Sequence, residues 1–412
     1  MRRGGVSASG SVSLPAVSVC DRRAVMGVLG VTQILAWGSS YYLPTVLAQP
    51  IARDTGWPLT WVVGGLSLGL LVAALASPRV GSTIERHGGR MVLAFSAAAI
   101  GFGQIGLAIA PSLATYIVAW LVMGVGMGAG LYDAAFATLG RLYGRDARSA
   151  ITTLTLFGGF ASTVCWPLSA FMVSEIGWRG ACLVYAAIQL GVALPLYLRV
   201  LPRGAPAQIM PSHDAHAAPT AVVAKPPLVL LVTLAVALTL AASLSSLMSV
   251  HLLTILQASG VTLAAAVALG ALVGPSQVAA RTVEMAIAHR HHPIWTKIAS
   301  VSFVAVGLSA LWAGFPFIPA ALAFYGGGIG LESIARGTLP LALFGASGYA
   351  TLMGRLAMPS LLAQAAAPLV GALLLDRMGA HGTLGVLASV ALLNVALSAS
   401  LGWMVSRRRR TL

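Results

Sequence analysis

The chain has 412 residues, of which 58% are hydrophobic and only 8% charged, and its formal net charge is +15. Soluble domains carry about 25% charged residues, so this composition excludes a water-soluble body of this size. The basic residues fall in short clusters between apolar runs, a pattern that fits bilayer insertion and not nucleic-acid binding.

Residues 1–24 are Gly/Ser-rich, hold Arg2, Arg3, Arg22 and Arg23, and lack the apolar core of a signal peptide. They read as a disordered cytoplasmic tail, with Met26 as an alternative start. Beyond them, apolar runs of about 20 residues mark crossings, because a helix rises about 1.5 Å per residue through a hydrocarbon core of about 30 Å. Twelve spans are predicted. Spans 1 to 6 are Val25–Ala48, Leu59–Ser77, Met91–Ala110, Leu113–Leu142, Ser149–Val173 and Ala181–Leu198. Spans 7 to 12 are Leu228–Leu253, Leu263–Met285, Ile294–Gly314, Phe317–Phe344, Gly348–Leu375 and Leu384–Val405. The Pro-, Ala- and His-rich stretch 200–227 reads as a cytoplasmic linker. It separates two six-helix bundles, 25–199 and 228–405, and a basic tail, 406–412, follows.

With both termini inside the cell, 20 of the 25 basic residues lie on the inner face, including Arg79, Arg86, Arg90, Arg141, Arg281 and Lys297. Only Arg53, Arg179 and Arg377 lie outside, and Arg336 and Arg355 fall within spans. That bias sets the orientation and predicts a multi-pass protein of the cell (inner) membrane. The halves also echo each other: Gly128-Ala129-Gly130-Leu131 and Thr138-Leu139 recur 200 residues later as Gly328-Ile329-Gly330-Leu331 and Thr338-Leu339. Parallel six-span repeats of this kind are a transporter architecture. The glycine stretches sit inside apolar helices, where small residues allow close helix packing, and are not phosphate loops.

The loop after span 2 reads Gly81-Ser82-Thr83-Ile84-Glu85-Arg86-His87-Gly88-Gly89-Arg90. It resembles the signature of the major facilitator superfamily, with Glu85 where that family usually has Asp. The resemblance covers the whole chain and implies an all-α membrane fold of two pseudo-symmetric six-helix bundles. It implies a conformational latch of Gly81, Glu85, Arg86, Gly88 and Arg90. Glu85 would pack against the start of span 11, with Arg141 as partner and Arg355 as a second candidate. It further implies that spans 1, 4, 7 and 10 line a central cavity. The proton/drug exporters of that family carry an Arg in span 4, four residues before a Gly; here Trp120 precedes Gly124 at that spacing. Their Gly-Pro with paired Gly in span 5 is likewise missing around Pro167.

A charge at a helix centre in the bilayer costs roughly 2.5–3.5 kcal/mol, so it survives when paired or facing a wet cavity. Asp133, Glu332, Arg336 and Arg355 are such residues. Glu332 and Arg336 are spaced i,i+4 and are expected to pair on one helix face, either as a static ion pair or as a substrate- or proton-binding carboxylate. Asp133 is expected to pair with Arg336 across the halves. Gln33, Trp37 and Tyr41 form one helical stripe; with Trp166 and His251 they are candidate cavity residues. Cys20, Cys165 and Cys182 show no metal-ligand spacing, and no cofactor is expected.

The reading is a secondary active transporter, not an enzyme, that moves a small solute by alternating access with proton coupling. A non-transporting membrane sensor or scaffold with the same fold is the alternative. An organic-anion carrier and an exporter of amphipathic compounds both remain open. The expected partners are the small-molecule substrate and the lipid bilayer, with no nucleic acid, and the chain is expected to be a monomer.

Overall fold

A computed structural model describes residues 19–203 and 228–410. Most of the N-terminal stretch read as a tail, most of the linker and the last two residues lie outside them. The N-terminal half comprises α1 (Val19–Ser39), α2 (Leu43–Thr55), α3 (Leu59–His87), α4 (Gly89–Ile109), α5 (Leu113–Gly130), α6 (Tyr132–Tyr143), α7 (Ala147–Gly159), α8 (Ala161–Ile188) and α9 (Leu194–Val200). The C-terminal half comprises α10 (Leu228–Ala258), α11 (Leu263–Gly270), α12 (Val273–Ile287), α13 (Pro293–Trp312), α14 (Ile318–Phe344) and α15 (Tyr349–Arg410). No strand occurs among the described residues.

Eight continuous helical stretches among the described residues are long and apolar enough to cross a membrane. Two of them, Leu113–Val200 and Tyr349–Arg407, exceed one crossing several-fold. The backbone breaks them: Gly144 (φ 55°) follows α6, Gly177 (φ 70°) interrupts α8 and Gly379 (φ 65°) interrupts α15. Glycine takes these left-handed angles without a Cβ clash. Large apolar side chains such as Met91, Phe102, Ile109, Leu228 and Leu369 are more than half exposed. Water would drive such a surface to aggregate, whereas lipid solvates it.

Glycines set the helix approaches. A Cβ on Gly124, Gly126 or Gly128 would lie 2.3–2.9 Å from Gly69 O, Ile100 Cγ1 or Ala73 O. In the second half the same approaches recur at Gly326 to Val273 O, Gly328 to Ser300 O and Gly330 to Gln277 O. The Ser96 hydroxyl donates to Gly126 O at 2.7 Å, and the Ser300 hydroxyl to Gly328 O at 2.9 Å. Positions 124, 126 and 128 therefore correspond to 326, 328 and 330, a shift of 202. The sequence echo at 200 is two residues out of the structural register, because repeated Gly and Leu match by type while packing fixes equivalence. Glu332 consequently stands where the first half has Gly130, and Lys297, three before Ser300, stands where it has Leu93.

Span 4 departs from one continuous helix. Leu131 adopts extended angles (φ −75°, ψ −172°) between α5 and α6, so Asp133 sits in the first turn of a new helix. A carboxylate is favoured at a helix N-terminus.

Candidate functional site

A cavity lies between the halves. Its walls include Trp37, Tyr41, Tyr132, Asp133, Arg336 and Gln364, with Leu70, Ala73, Met127 and Leu361 completing an apolar floor. Trp37 is the aromatic centre: its ring lies 4.9 Å from Tyr132 and 5.2 Å from Tyr41, centroid to centroid. Tyr132 in turn stacks on Phe136 at 5.1 Å. Gln33 is fully buried and sets this wall from behind: its amide donates to Gly130 O at 2.6 Å and its carbonyl accepts from the Trp37 indole at 3.2 Å. Trp166 is 41% exposed on α8 and meets the cluster only through Tyr42, at 6.0 Å. His251 lies 2.9 Å from Pro368 O and joins α10 to α15.

The charged pairs are sorted differently from the i,i+4 expectation. Arg336 grips Asp133 with two parallel hydrogen bonds, Nε to Oδ1 and Nη2 to Oδ2, both 2.8 Å. Such forked pairs are strong and directional. This pair joins α14 to α6 and hence the two halves. Glu332 does not pair with Arg336. It accepts from Lys297 Nζ at 2.6 Å and from the Ser300 hydroxyl at 2.8 Å, both on α13. The reason is enclosure: Lys297 has no exposed surface, and a buried ammonium requires a carboxylate, whereas Arg336 is satisfied by Asp133. Lys297 is thus a core residue and not one of the face charges counted for orientation. Arg281 is a second such correction. It is 5% exposed and donates to Gly330 O at 3.2 Å and, across the halves, to Thr155 O at 3.1 Å. Its signal was its place inside span 8 with Gln277 one turn before it; Gln277 Oε1 accepts from it at 3.2 Å.

The end of the bundle that carries Arg86, Arg90 and Arg141, called here the basic end, is closed. Glu85 Oε2 accepts from the Ala350 amide at 3.0 Å, at the first turn of α15. Arg141 donates to the Glu85 backbone carbonyl, and Arg90 to Leu198 O. Gly81 crosses Gly354 so closely that a Cβ would stand 2.4 Å from Ala350 O. Gly88 (φ 84°) turns the chain from α3 into α4. Arg86 and Arg355 are exposed, and Arg355 forms no ion pair with Glu85: the amide of Ala350 has that place. Contacts between the halves are carried by α3, α6 and α7 against α12, α14 and α15. By contrast α1, α2, α5 and α8 make none of comparable extent.

Residues 29–284 match the family model described as Major Facilitator Superfamily. Two curated proteins are similar over part of the chain. An uncharacterized 38 kDa protein in the 23S RNA operon of Thermoproteus tenax is 33% identical over 42% of this chain and 45% of its own length. The transcription regulatory protein OpdE of Pseudomonas aeruginosa is 30% identical over 40% of each. The chain therefore spans less than half the length of either. Among solved structures, the human organic anion transporter MFSD10 (TETRAN) superposes with a TM-score of 0.69 at 16% identity, covering 92% of this chain and 99% of that one. FucP in the outward conformation gives 0.68 at 10%, covering 92% and 99%. The proton:xylose symporter XylE gives 0.66 at 11%, covering 92% and 95%. These identities carry the fold alone. With a family match over more than half of the chain, the protein is a member of the major facilitator superfamily, a non-enzymatic membrane transporter fold.

Proposed function

We propose that this protein is a secondary active transporter that moves a small organic solute through the central cavity by alternating access. It crosses the cell (inner) membrane twelve times as a monomer with its basic end in the cytoplasm. The observation that carries this reading is the forked Asp133–Arg336 pair, which lies in the cavity wall and joins the halves. A solute that reaches this pair acts on the contact that holds the basic end shut. The latch at Glu85, Arg141 and Ala350 closes the same end, so both loosen together when the halves rock. Twelve crossings are supported by the breaks at Gly144, Gly177 and Gly379, which divide the two long stretches so that the eight become eleven, with α1 and α2 as the remaining crossing.

Arg336 and the Trp37–Tyr41–Tyr132 wall favour a solute with an anionic head and an apolar body. An anion that takes Arg336 frees Asp133, whose carboxylate a proton can neutralise, whereas a cation that takes Asp133 frees Arg336, which cannot shed its charge. Proton coupling belongs to this reading. The test is uptake into proteoliposomes of small carboxylates, amino acids, sugars and amphipathic cations. Saturable uptake of an organic anion that Arg336→Ala abolishes is expected; saturable uptake of cations alone overturns the anion reading. A sensor without transport is the second reading. It is favoured by the similarity to the transcription regulatory protein OpdE of Pseudomonas aeruginosa, and it gains ground if folded protein takes up none of these solutes.

A further inference from the structure

The second half holds a buried charge cluster that the first half does without. At the positions of Lys297 and Glu332 the first half has Leu93 and Gly130, in the same packing register. The fold therefore does not need this ion pair. Lys297 is fully enclosed and Glu332 bridges it to Ser300. One turn along α14, on the same face, stands Arg336, whose partner Asp133 belongs to the other half.

Charge is balanced only while the halves are closed, with two carboxylates facing two cations. When the halves part at this level, Asp133 leaves with the first half. The second half then keeps Lys297 and Arg336 against Glu332 alone. An arginine cannot shed its proton in a protein, whereas a lysine can. Facing Lys297, α14 brings Glu332 and Arg336, and α10 brings the Ala237 carbonyl at 3.4 Å. The charged groups of α12 are held elsewhere: Glu284 accepts from Thr296 at 2.7 Å and lies 3.5 Å from His291, and Arg281 donates to Gly330 O at 3.2 Å. From α15 comes Asn394, which shares a small cavity with Glu332 and Ser300 and whose buried carbonyl has no partner.

We infer that Lys297 is the proton-carrying group of this protein: as the basic end opens, Glu332 passes from Lys297 to Arg336, and Lys297 gives up one proton. In the step, an Nζ–H bond of Lys297 breaks and its proton goes to water, leaving a neutral amine. Glu332 exchanges one hydrogen-bond donor for another, and the cluster falls from one net positive charge to none. The inference rests on the rocking motion proposed above.

The test follows the basic end directly, in full-length protein in liposomes. Spin labels at His87→Cys and His289→Cys, with Cys20→Ser, report the distance between the halves from pH 6 to 9. Opening releases a proton, so the open fraction is expected to rise with pH in the parent protein. Lys297→Arg, which keeps its charge, is expected to stay closed throughout. Lys297→Leu with Glu332→Gly, which copies the first half and guards against a folding failure, is expected to open to the same extent at every pH. Wild-type pH dependence in either variant overturns the inference while leaving the rocking motion standing. No opening in any of them, including Asp133→Asn, overturns the rocking motion and this inference with it.

Discussion

Two ion pairs among the described residues have similar chemistry and opposite placement. Lys297–Glu332 lies within one half and encloses its cation fully, whereas Asp133–Arg336 spans the two halves and leaves both side chains 16–17% exposed beside the cavity. Motion between the halves breaks the pair that spans them directly, and reaches the pair within one half only through the Arg336 that Asp133 leaves behind. Location, more than strength, therefore decides which one can respond to a solute.

Truncation of the enclosed pair has the largest expected effect. Glu332→Ala leaves an ammonium without its carboxylate, and removing one partner of a buried pair costs about 3–5 kcal/mol. A thermal unfolding series in detergent reads this as a clear drop in Tm. A drop no larger than that of Asp133→Ala would erase the distinction between the pairs. The next effect falls on the closed basic end itself. A Cβ at Gly354 would stand 2.3 Å from Ser77 O and 3.0 Å from the Gly81 Cα. Backbone cannot yield as a flexible side chain does, so Gly354→Ala is expected to cost about 1–3 kcal/mol as overpacking. Faster thiol labelling of a basic-end cysteine would report the opening, and Gly27→Ala, which meets open space, serves as the silent control.

The smallest effect belongs to the opposite end. There Asp54 accepts from the Trp178 indole at 2.9 Å and also from Arg179. The Trp178 hydrogen bond, with Arg179 beside it, holds the Asp54 carboxyl below its ordinary value. A lowered carboxyl contributes above the ordinary carboxylate range and loses its contribution as pH falls through the lowered value. The pair is about half exposed and lies within the first half, between α2 and α8, so Asp54→Asn is expected to leave Tm at neutral pH unchanged; a large drop would show that this contact is a main support of the first half.

Much of this arrangement was legible in the residues. The apolar runs gave the helices, and the resemblance of the Gly81–Arg90 loop to the family signature implied the start of span 11, where Glu85 meets Ala350. The rarity of charge in spans singled out Asp133, Glu332 and Arg336. What was not legible came from tertiary choice. The i,i+4 rule names a neighbour on the same helix, but Glu332 had a better partner on α13. Lys297 and Arg281 lie near the basic-end termini of their helices, so a one-dimensional reading takes them for face charges. The break at Leu131 carries no proline or turn residue of its own, only the small residues before it. The register of the repeat was misread for a related reason, since identical glycines two residues apart satisfy a sequence match equally well.

The central claim is that Asp133 and Arg336 hold the halves together at the cavity, and a charge reversal tests it most directly. The inter-half distance at the basic end would be measured in Asp133→Arg, in Arg336→Asp and in the double variant, with the same spin labels. The account predicts that each single variant shifts the population to the open form, because like charges then face one another across the halves, and that the double variant closes again. Single variants that stay closed, or a double variant as open as either single one, would contradict it.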